Sequence, residues 1–312
     1  MFDNGNKKEE LEMTQPRCII PNRTYMVTHR CTQRQFMLKP DSETNQIFAY
    51  CLAYAVKKTN MKIHYYMVMS NHYHCILTDP EGKLPEFVEC LHKLVAKCMN
   101  AKYGRWENFW STYRYDLLFL PTREEVLGKI VYAAVNPVRA WLVDDSEQWL
   151  GLRTKLTDYQ RGPIMIKKPA VYFRDNGDMP EEIPLEVEVP PMFDDMSKGE
   201  FVALLGRMIE EAEEQKRNEE RKANRKPMGI KRVLAQSIYD TPESFEPRRR
   251  IIPKFASKDK ALRLEMIRMN RAFVEEYKIA LGEFRAGNRE VLFPPGTYWM
   301  KRFMGVKCRP WA

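Results

Sequence analysis

Residues 62–79, KIHYYMVMSNHYHCILTD, hold two runs of apolar, aromatic and β-branched residues separated by Ser70 and Asn71. Serine and asparagine favour turns because their side chains bond the local backbone, so the segment reads as two strands joined by a short hairpin. A lone hairpin is marginal in water, so this one needs further strands and a helical layer to bury its apolar surface. Within the second strand, residues two apart share a face. His72 and His74 therefore present two imidazoles side by side, although the chain has only five histidines. A two-point metal clamp requires that arrangement.

The surrounding segments supply the missing layers. RTYMVTHRC (23–31) reads as a strand. A helix follows, with Asp41 or Ser42 as N-cap and Ile47, Cys51, Tyr54 and Ala55 at helical spacing. A second helix, LPEFVECLHKLVAKCMNAKYG, carries Pro85 in its first turn and ends on Gly104. Its buried stripe is Phe87, Leu91, Leu94, Val95, Cys98 and Met99, with Lys93 and Lys97 on another face. RWENFWSTYRYDLLFL includes a further strand, and PTREEVLGKIVYAAVNPVRAWL opens a third helix with a Thr122/Glu125 capping box. Strand, helix, two strands, helix, strand, helix predicts an α+β domain over residues 21–150, an antiparallel sheet with helices on one face.

The rest of the chain differs in composition. Residues 1–20 read as a flexible tail. Residues 151–196, with the acidic, proline-rich DNGDMPEEIPLEVEVPPMFDDM, read as a linker. Residues 197–312 read as a basic, mostly helical region. It opens with a Ser197/Glu200 capping box and a short stripe of Phe201, Leu204, Leu205, Met208 and Ile209. The charged run EEAEEQKRNEERKANRK is then a solvated helix or a loose segment, and a further helix covers 258–286. No apolar run reaches the roughly 20 residues that span a bilayer, and the polar N-terminus lacks a signal-peptide core. A soluble, cytoplasmic protein without a membrane partner is expected. Seven cysteines without a C-x-x-C pair argue against a zinc ribbon or a secreted disulfide framework, and Cys51, Cys90 and Cys98 read as core thiols. The net charge of +9 suits a polyanionic partner.

The third helix holds the second chemical feature. Leu127, Ile130, Val131, Ala134 and Val135 form its apolar stripe, while Tyr132 points almost opposite, with Asn136 one turn on and Gly128 one turn before. A tyrosine serving the core belongs on the stripe, so Tyr132 is either an exposed, untethered residue or a functional one. Pro137 disfavours helical geometry at Asn136, so the helix ends or kinks there. The amide is then a helix stop, or it turns its oxygen to a ligand. Two imidazoles and an amide oxygen leave open positions on a divalent ion, which can polarise a phosphodiester. A phenol beside that ion can attack phosphorus and keep the bond energy in a covalent phosphotyrosine, so no nucleotide cofactor is needed. The donor set suits Mg²⁺ or Mn²⁺ better than a closed zinc site.

MSNHYHCIL, GRWENFW and KIVYAAVNPVRAWLV, in this order, resemble the HUH-type single-tyrosine transposases, in the insertion-sequence-200-like and REP-associated branch. The resemblance covers residues 21–150. It implies a ferredoxin-like or RNA-recognition-like palm with the active site on the sheet. It implies cleavage of single-stranded DNA, often beside a hairpin, through a 5′-phosphotyrosine link and a free 3′-hydroxyl, in the service of transposition. His72 and His74 match the metal-binding histidines, Tyr132 the nucleophile and Asn136 the helix-borne third ligand. Ala134 stands where the family often has an aromatic or a histidine, and Tyr73 where an aliphatic residue is common. Both leave substrate choice open.

Other residues have two readings each. His29 and His64 read as packing residues with one hydrogen bond apiece, although His29 could share the face of the metal pair; His92 reads as a helix-surface residue. Tyr113, Arg114 and Tyr115 could stack on unpaired bases or pack, as do Trp106, Phe109 and Trp110; Tyr115 is the fallback nucleophile. Lys93, Lys97, Lys102, Arg105, Arg114 and Arg139 are candidate phosphate contacts, set against ordinary surface charge, and EPRRR (246–250) could follow a nucleic-acid backbone or cap a loop. The expected function is metal-dependent DNA strand transfer on single-stranded or hairpin DNA, with a homodimer allowed. Its rivals are a non-cleaving nucleic-acid-binding protein of the same fold and a phosphohydrolase without a covalent step.

Overall fold

The computed structural model describes residues 16–112, 115–174, 177–244 and 253–310. The chain divides into two compact units, Pro21–Ser257 and a second made of Lys258–Ala312 with Met1–Ile20.

In the larger unit, β1 (Arg23–Arg30), β2 (Lys62–Val68), β3 (His72–Asp79) and β4 (Asp116–Phe119) form an antiparallel sheet in the order β2-β3-β1-β4. The hairpin expected around Ser70–Asn71 joins β2 to β3. Register sets His74 opposite Thr28, Tyr73 opposite His29, and His72 opposite Arg30. Since neighbouring residues alternate faces, Thr28, Arg30, His72 and His74 share one face, and His29 and Tyr73 the other.

Helices α1 (Ser42–Thr59) and α2 (Leu84–Tyr103) pack together on the His29/Tyr73 face. The Tyr73 ring lies 5.2 Å from Phe48 of α1 and 5.7 Å from His92 of α2. Both helices start and stop where local chemistry dictates. Asp41 accepts the Thr44 amide at 2.7 Å to cap α1, and Gly104, at φ 60°, closes α2 in the left-handed conformation that glycine adopts without a Cβ clash. Phe48, Leu52, Phe87, Leu91 and Val95 are buried in this layer, each contributing about 1.5–3 kcal/mol.

Helix α3 (Arg123–Ala134), capped by Thr122, lies against β2 and β3 on the opposite, histidine-bearing face. A sheet with helices only on one face would leave that surface bare. The third helix instead crosses it, and a site forms between helix and sheet.

The expected linker at 151–196 is packed structure. Residues 152–154 extend the sheet edge beside β2: the Val68 amide donates to the Leu152 carbonyl and the Thr154 amide to that of Tyr66, at 2.8 and 2.9 Å. Strands β5 (Ile164–Lys167) and β6 (Glu182–Leu185) form a small antiparallel sheet against α1. In this stretch Ile183, Leu185 and Val187 are buried while Glu182, Pro184 and Glu186 are exposed. The acidic residues are the outer face of a half-buried strand, with the period-two pattern that strands require. The turn Asn136–Arg139 (α4) follows α3, and α5 (Lys198–Lys222) packs on both. Helix α5 continues through the charged run, because Glu213 turns inward to accept the Ser146 amide at 3.0 Å. A short α6 (Ile230–Ala235) follows.

In the smaller unit, α7 (Lys260–Arg285) and α8 (Trp299–Met304) enclose Leu281, Phe284, Phe293, Met300 and Val306. Cys18 bridges Thr297, and the Ile19 amide donates to the Gly296 carbonyl at 3.0 Å. The end of the expected tail is therefore built in, and residues 1–15 lie outside the described residues. Among the described residues no helix is long and apolar enough to cross a membrane.

Candidate active site

The two imidazoles on β3 sit with ring centroids 4.8 Å apart and planes at 79°. Each is held through Nδ1. That of His72 donates to Asn71 Oδ1 at 2.7 Å, and Asn71 is itself oriented because its Nδ2 donates to the Arg34 carbonyl at 3.0 Å. That of His74 donates to Thr28 Oγ1 across the strand at 2.8 Å, and His74 Nε2 accepts from Asn136 Nδ2 at 3.2 Å. These bonds place the proton on Nδ1 in both rings and, in His74, the accepting lone pair on Nε2, the arrangement by which outer partners fix metal-binding histidines. His74 is 4% exposed. Burial, then the neighbouring His72 and Lys129, push its pKa well below the ordinary value, which keeps the ring in its neutral, ligating form.

Tyr132 faces this pair from α3, with its ring 5.5 Å from that of His74 and at 71° to it. The helix breaks at Val135 (φ −84°, ψ 6°), and Asn136–Pro137 starts the next short turn. The break expected from Pro137 is present, and the Asn136 amide still reaches His74. Gly128 leaves open space on this side of the helix, since a Cβ there would meet nothing within 4 Å. Two cations flank the phenol: Lys129 Nζ lies 5.5 Å and Arg139 Cζ 5.1 Å from the ring centroid.

The structure thus brings His72, His74, Tyr132, Asn136 and Arg139 together, and adds Thr28 and Lys129. The Lys129 signal was its i−3 spacing from Tyr132; Thr28 is legible only from strand register. Lys93, Lys97 and Lys102 ride on α2, which covers the opposite face. Lys97 lies over Tyr172, and Lys102 ion-pairs with Asp41 at 2.7 Å and Glu43 at 3.2 Å with its side chain only 11% exposed. Arg105 lies over Tyr239, 5.6 Å from its ring centre. Tyr113, Arg114 and residues 246–250 fall outside the described residues.

The packing reading of His29 holds and its alternative falls, while the readings of His92, Tyr115 and His64 change. His29 is on the α1/α2 face, stacked on Trp110 at 5.0 Å. His92 is packed among Tyr73, Trp110 and His29 instead of standing on a helix surface. Tyr115 sits with those rings, 5.7 Å from His92, on the wrong side of the sheet to replace Tyr132. His64 makes two hydrogen bonds, to the Glu188 carbonyl at 2.9 Å and to Thr78 Oγ1 at 2.7 Å.

Among the described residues no three His, Cys, Asp or Glu side chains converge on one point; the third donor beside His72 and His74 is an amide. Two rings anchored through Nδ1, and an amide with an oxygen at its other end, could hold a divalent ion with room for further ligands.

No protein-family model matches the chain, and no curated protein matches it. Among solved structures it is similar to a REP-associated tyrosine transposase bound to a REP hairpin (19% identity, 55% of this chain and 98% of that one, TM-score 0.41). It is also similar to a candidate transposase from Deinococcus radiodurans R1 (19%, 38% and 92%, TM-score 0.29). A third likeness is to the tRNA(His) guanylyltransferase of Saccharomyces cerevisiae (17%, 59% and 97%, TM-score 0.33). At these identities and overlaps the likenesses carry no functional argument, and the site's own geometry has to supply it.

Proposed function

We propose that this protein is a transposase-type, metal-dependent DNA strand transferase that cleaves single-stranded or hairpin DNA through a covalent link to Tyr132. The observation that carries the reading is one constellation: a phenol beside paired, Nδ1-anchored imidazoles, flanked by Lys129 and Arg139.

His72, His74 and, with its amide turned so that the oxygen replaces the Nδ2 now on His74, Asn136 would hold the ion, and Mg²⁺ or Mn²⁺ would supply Lewis-acid polarisation of a phosphate oxygen. Lys129 and Arg139 hold the non-bridging oxygens where negative charge builds. The Tyr132 hydroxyl gives up its proton as its oxygen bonds to phosphorus. The bond to the 3′-oxygen breaks, and that oxygen takes up a proton and leaves as a free 3′-hydroxyl. A second 3′-hydroxyl attacking the 5′-phosphotyrosine reverses these steps, joins the new strand and restores the phenol. The bond energy is conserved, so no nucleotide cofactor enters.

The test is incubation with a library of single-stranded hairpin oligonucleotides and Mn²⁺, followed by denaturing gels. Wild type is expected to carry attached DNA, Tyr132→Phe none and Tyr115→Phe as much as wild type, with EDTA stopping cleavage but sparing salt-sensitive binding. Cleavage that survives in Tyr132→Phe would replace this mechanism with direct hydrolysis. Binding without cleavage in wild type would leave a non-cleaving nucleic-acid-binding protein.

A further inference from the structure

Of the three aromatic residues in GRWENFW, two are buried and one is not. Phe109 is 2% exposed and Trp110 9%, whereas Trp106 is 96% exposed. Its loop is nonetheless pinned on both sides. The Arg105 amide donates to the Asn100 carbonyl and Asn100 Nδ2 to the Glu107 carbonyl, both at 2.9 Å. Further on, the Thr32 amide donates to the Phe109 carbonyl at 2.9 Å, the Ser111 amide to that of Arg30 at 2.8 Å, and Trp110 Nε1 to that of His92 at 2.9 Å. The backbone thus holds out one indole that covers no part of the protein.

We infer that Trp106, with Arg105 and Tyr239, is a stacking platform for unpaired bases of a nucleic-acid strand leading to the Tyr132 site. The inference rests on the DNA reading above. The Arg105 guanidinium lies 5.6 Å from the ring centre of Tyr239, which is itself 57% exposed, so a cation and a second flat ring stand together one residue along the chain from the indole. The loop is anchored at Arg30, the register partner of His72. The Tyr239 segment is anchored beside it, where the Phe36 amide donates to the Asp240 carbonyl at 3.0 Å. Both flank the end of the sheet that carries the imidazole pair. A tryptophan anchoring a protein partner sits amid apolar surface that excludes water. The neighbours of Trp106 are Gly104, Arg105, Glu107 and Asn108, and the chain's net charge is +9. That setting suits a nucleobase, since every base has a π-face and arginine adds a cation–π contact.

The experiment measures binding of labelled single-stranded and fully paired oligonucleotides by anisotropy, and adduct formation on the same strands. Trp106→Ala is expected to bind single strands about 5- to 150-fold more weakly, with duplex binding unchanged and Trp106→Phe close to wild type. Scanning abasic sites along the strand should reproduce that loss in wild type at one position and have no effect there in Trp106→Ala. If wild type forms the Tyr132 adduct while Trp106→Ala binds single strands equally well, the platform is overturned and the strand-transfer reading stands. If Trp106→Ala weakens binding but no adduct forms in wild type, the platform stands and the strand-transfer reading falls. If the substitution changes concentration-dependent self-association and leaves DNA affinity alone, the indole contacts a second copy and the platform is overturned.

Discussion

An imidazole pair lies at each face of the sheet, and the two pairs differ in everything except their spacing. His72 and His74, both on β3, lie 4.8 Å apart under α3, and His29 of β1 and His92 of α2 lie 4.4 Å apart on the other side. Each pair has a tyrosine close by, Tyr132 at the first and Tyr73 and Tyr115 at the second. In the first pair the known bonds hold Nδ1 and turn Nε2 of His74 toward an amide beside two cations. In the second, His92 Nε2 and the Tyr73 hydroxyl share a 2.7 Å hydrogen bond and His29 is stacked 13° from parallel on Trp110. One pair lies beside an amide, a phenol and two cations; the other fills a layer of rings. Proximity of histidines therefore does not define a site. Which nitrogen is already bonded, and what charge faces the other, does.

The largest expected effect separates the two pairs. His74→Ala should reduce metal-dependent cleavage at least about 100-fold, since a ligand and the partner of the Asn136 amide go together. His92→Phe should leave cleavage within a few-fold of wild type. It should instead lower unfolding free energy by about 1–3 kcal/mol, because the fully buried Tyr73 hydroxyl loses its hydrogen-bond partner. Cleavage assays and denaturant titrations on both variants check this. A His92→Phe protein with normal stability and no cleavage would erase the distinction.

The legible part of the molecule was the part written in local patterns. The hairpin, the caps at Asp41, Thr122, Ser197 and Gly104, and the off-stripe position of Tyr132 all follow from neighbours within a turn or two. What needed register or tertiary contact was not legible. Thr28 meets His74 only because β1 and β3 pair as they do. His92 occupies a polar helix position that a tryptophan from a distant loop then covers. Trp106 and Trp110 share one short motif and end with opposite exposure. In the 182–187 stretch the alternation of Ile183, Leu185 and Val187 with polar neighbours was readable as a strand, but acidic and proline-rich composition outweighed it.

The fifth histidine sharpens the contrast through pH. His64 is fully buried with both nitrogens bonded to neutral groups, and burial lowers its pKa to about 4. The unfolded chain protonates this ring below its ordinary value of 6.5 while the folded protein keeps it neutral. The unfolded state then binds more protons, so stability rises with pH across that window. Its contribution is complete above pH 6.5 and is lost as pH falls toward 4, by about 3 kcal/mol in all. Thermal midpoints of wild type and His64→Gln between pH 7 and 4 should converge as the pH falls, because the glutamine has no proton to take up. Parallel curves would mean that His64 titrates normally and is not locked as its two bonds imply.

The smallest effect probes how the first pair is held. Thr28→Val keeps the side-chain volume and removes the hydroxyl that accepts His74 Nδ1–H. Outer partners of metal-binding histidines are typically worth 10- to 100-fold in affinity or activity, so Mn²⁺ affinity should fall by about that factor, with cleavage restored at saturating ion. The His29/His92 layer should be untouched, because Thr28 lies on the other face. Titrating cleavage against Mn²⁺ concentration separates the two ways this can turn out. A rightward shift with the same plateau assigns Thr28 to orienting His74. A lower plateau with no shift would mean that the hydroxyl serves the phosphate instead, and that the tautomer of His74 is set from the Asn136 side alone.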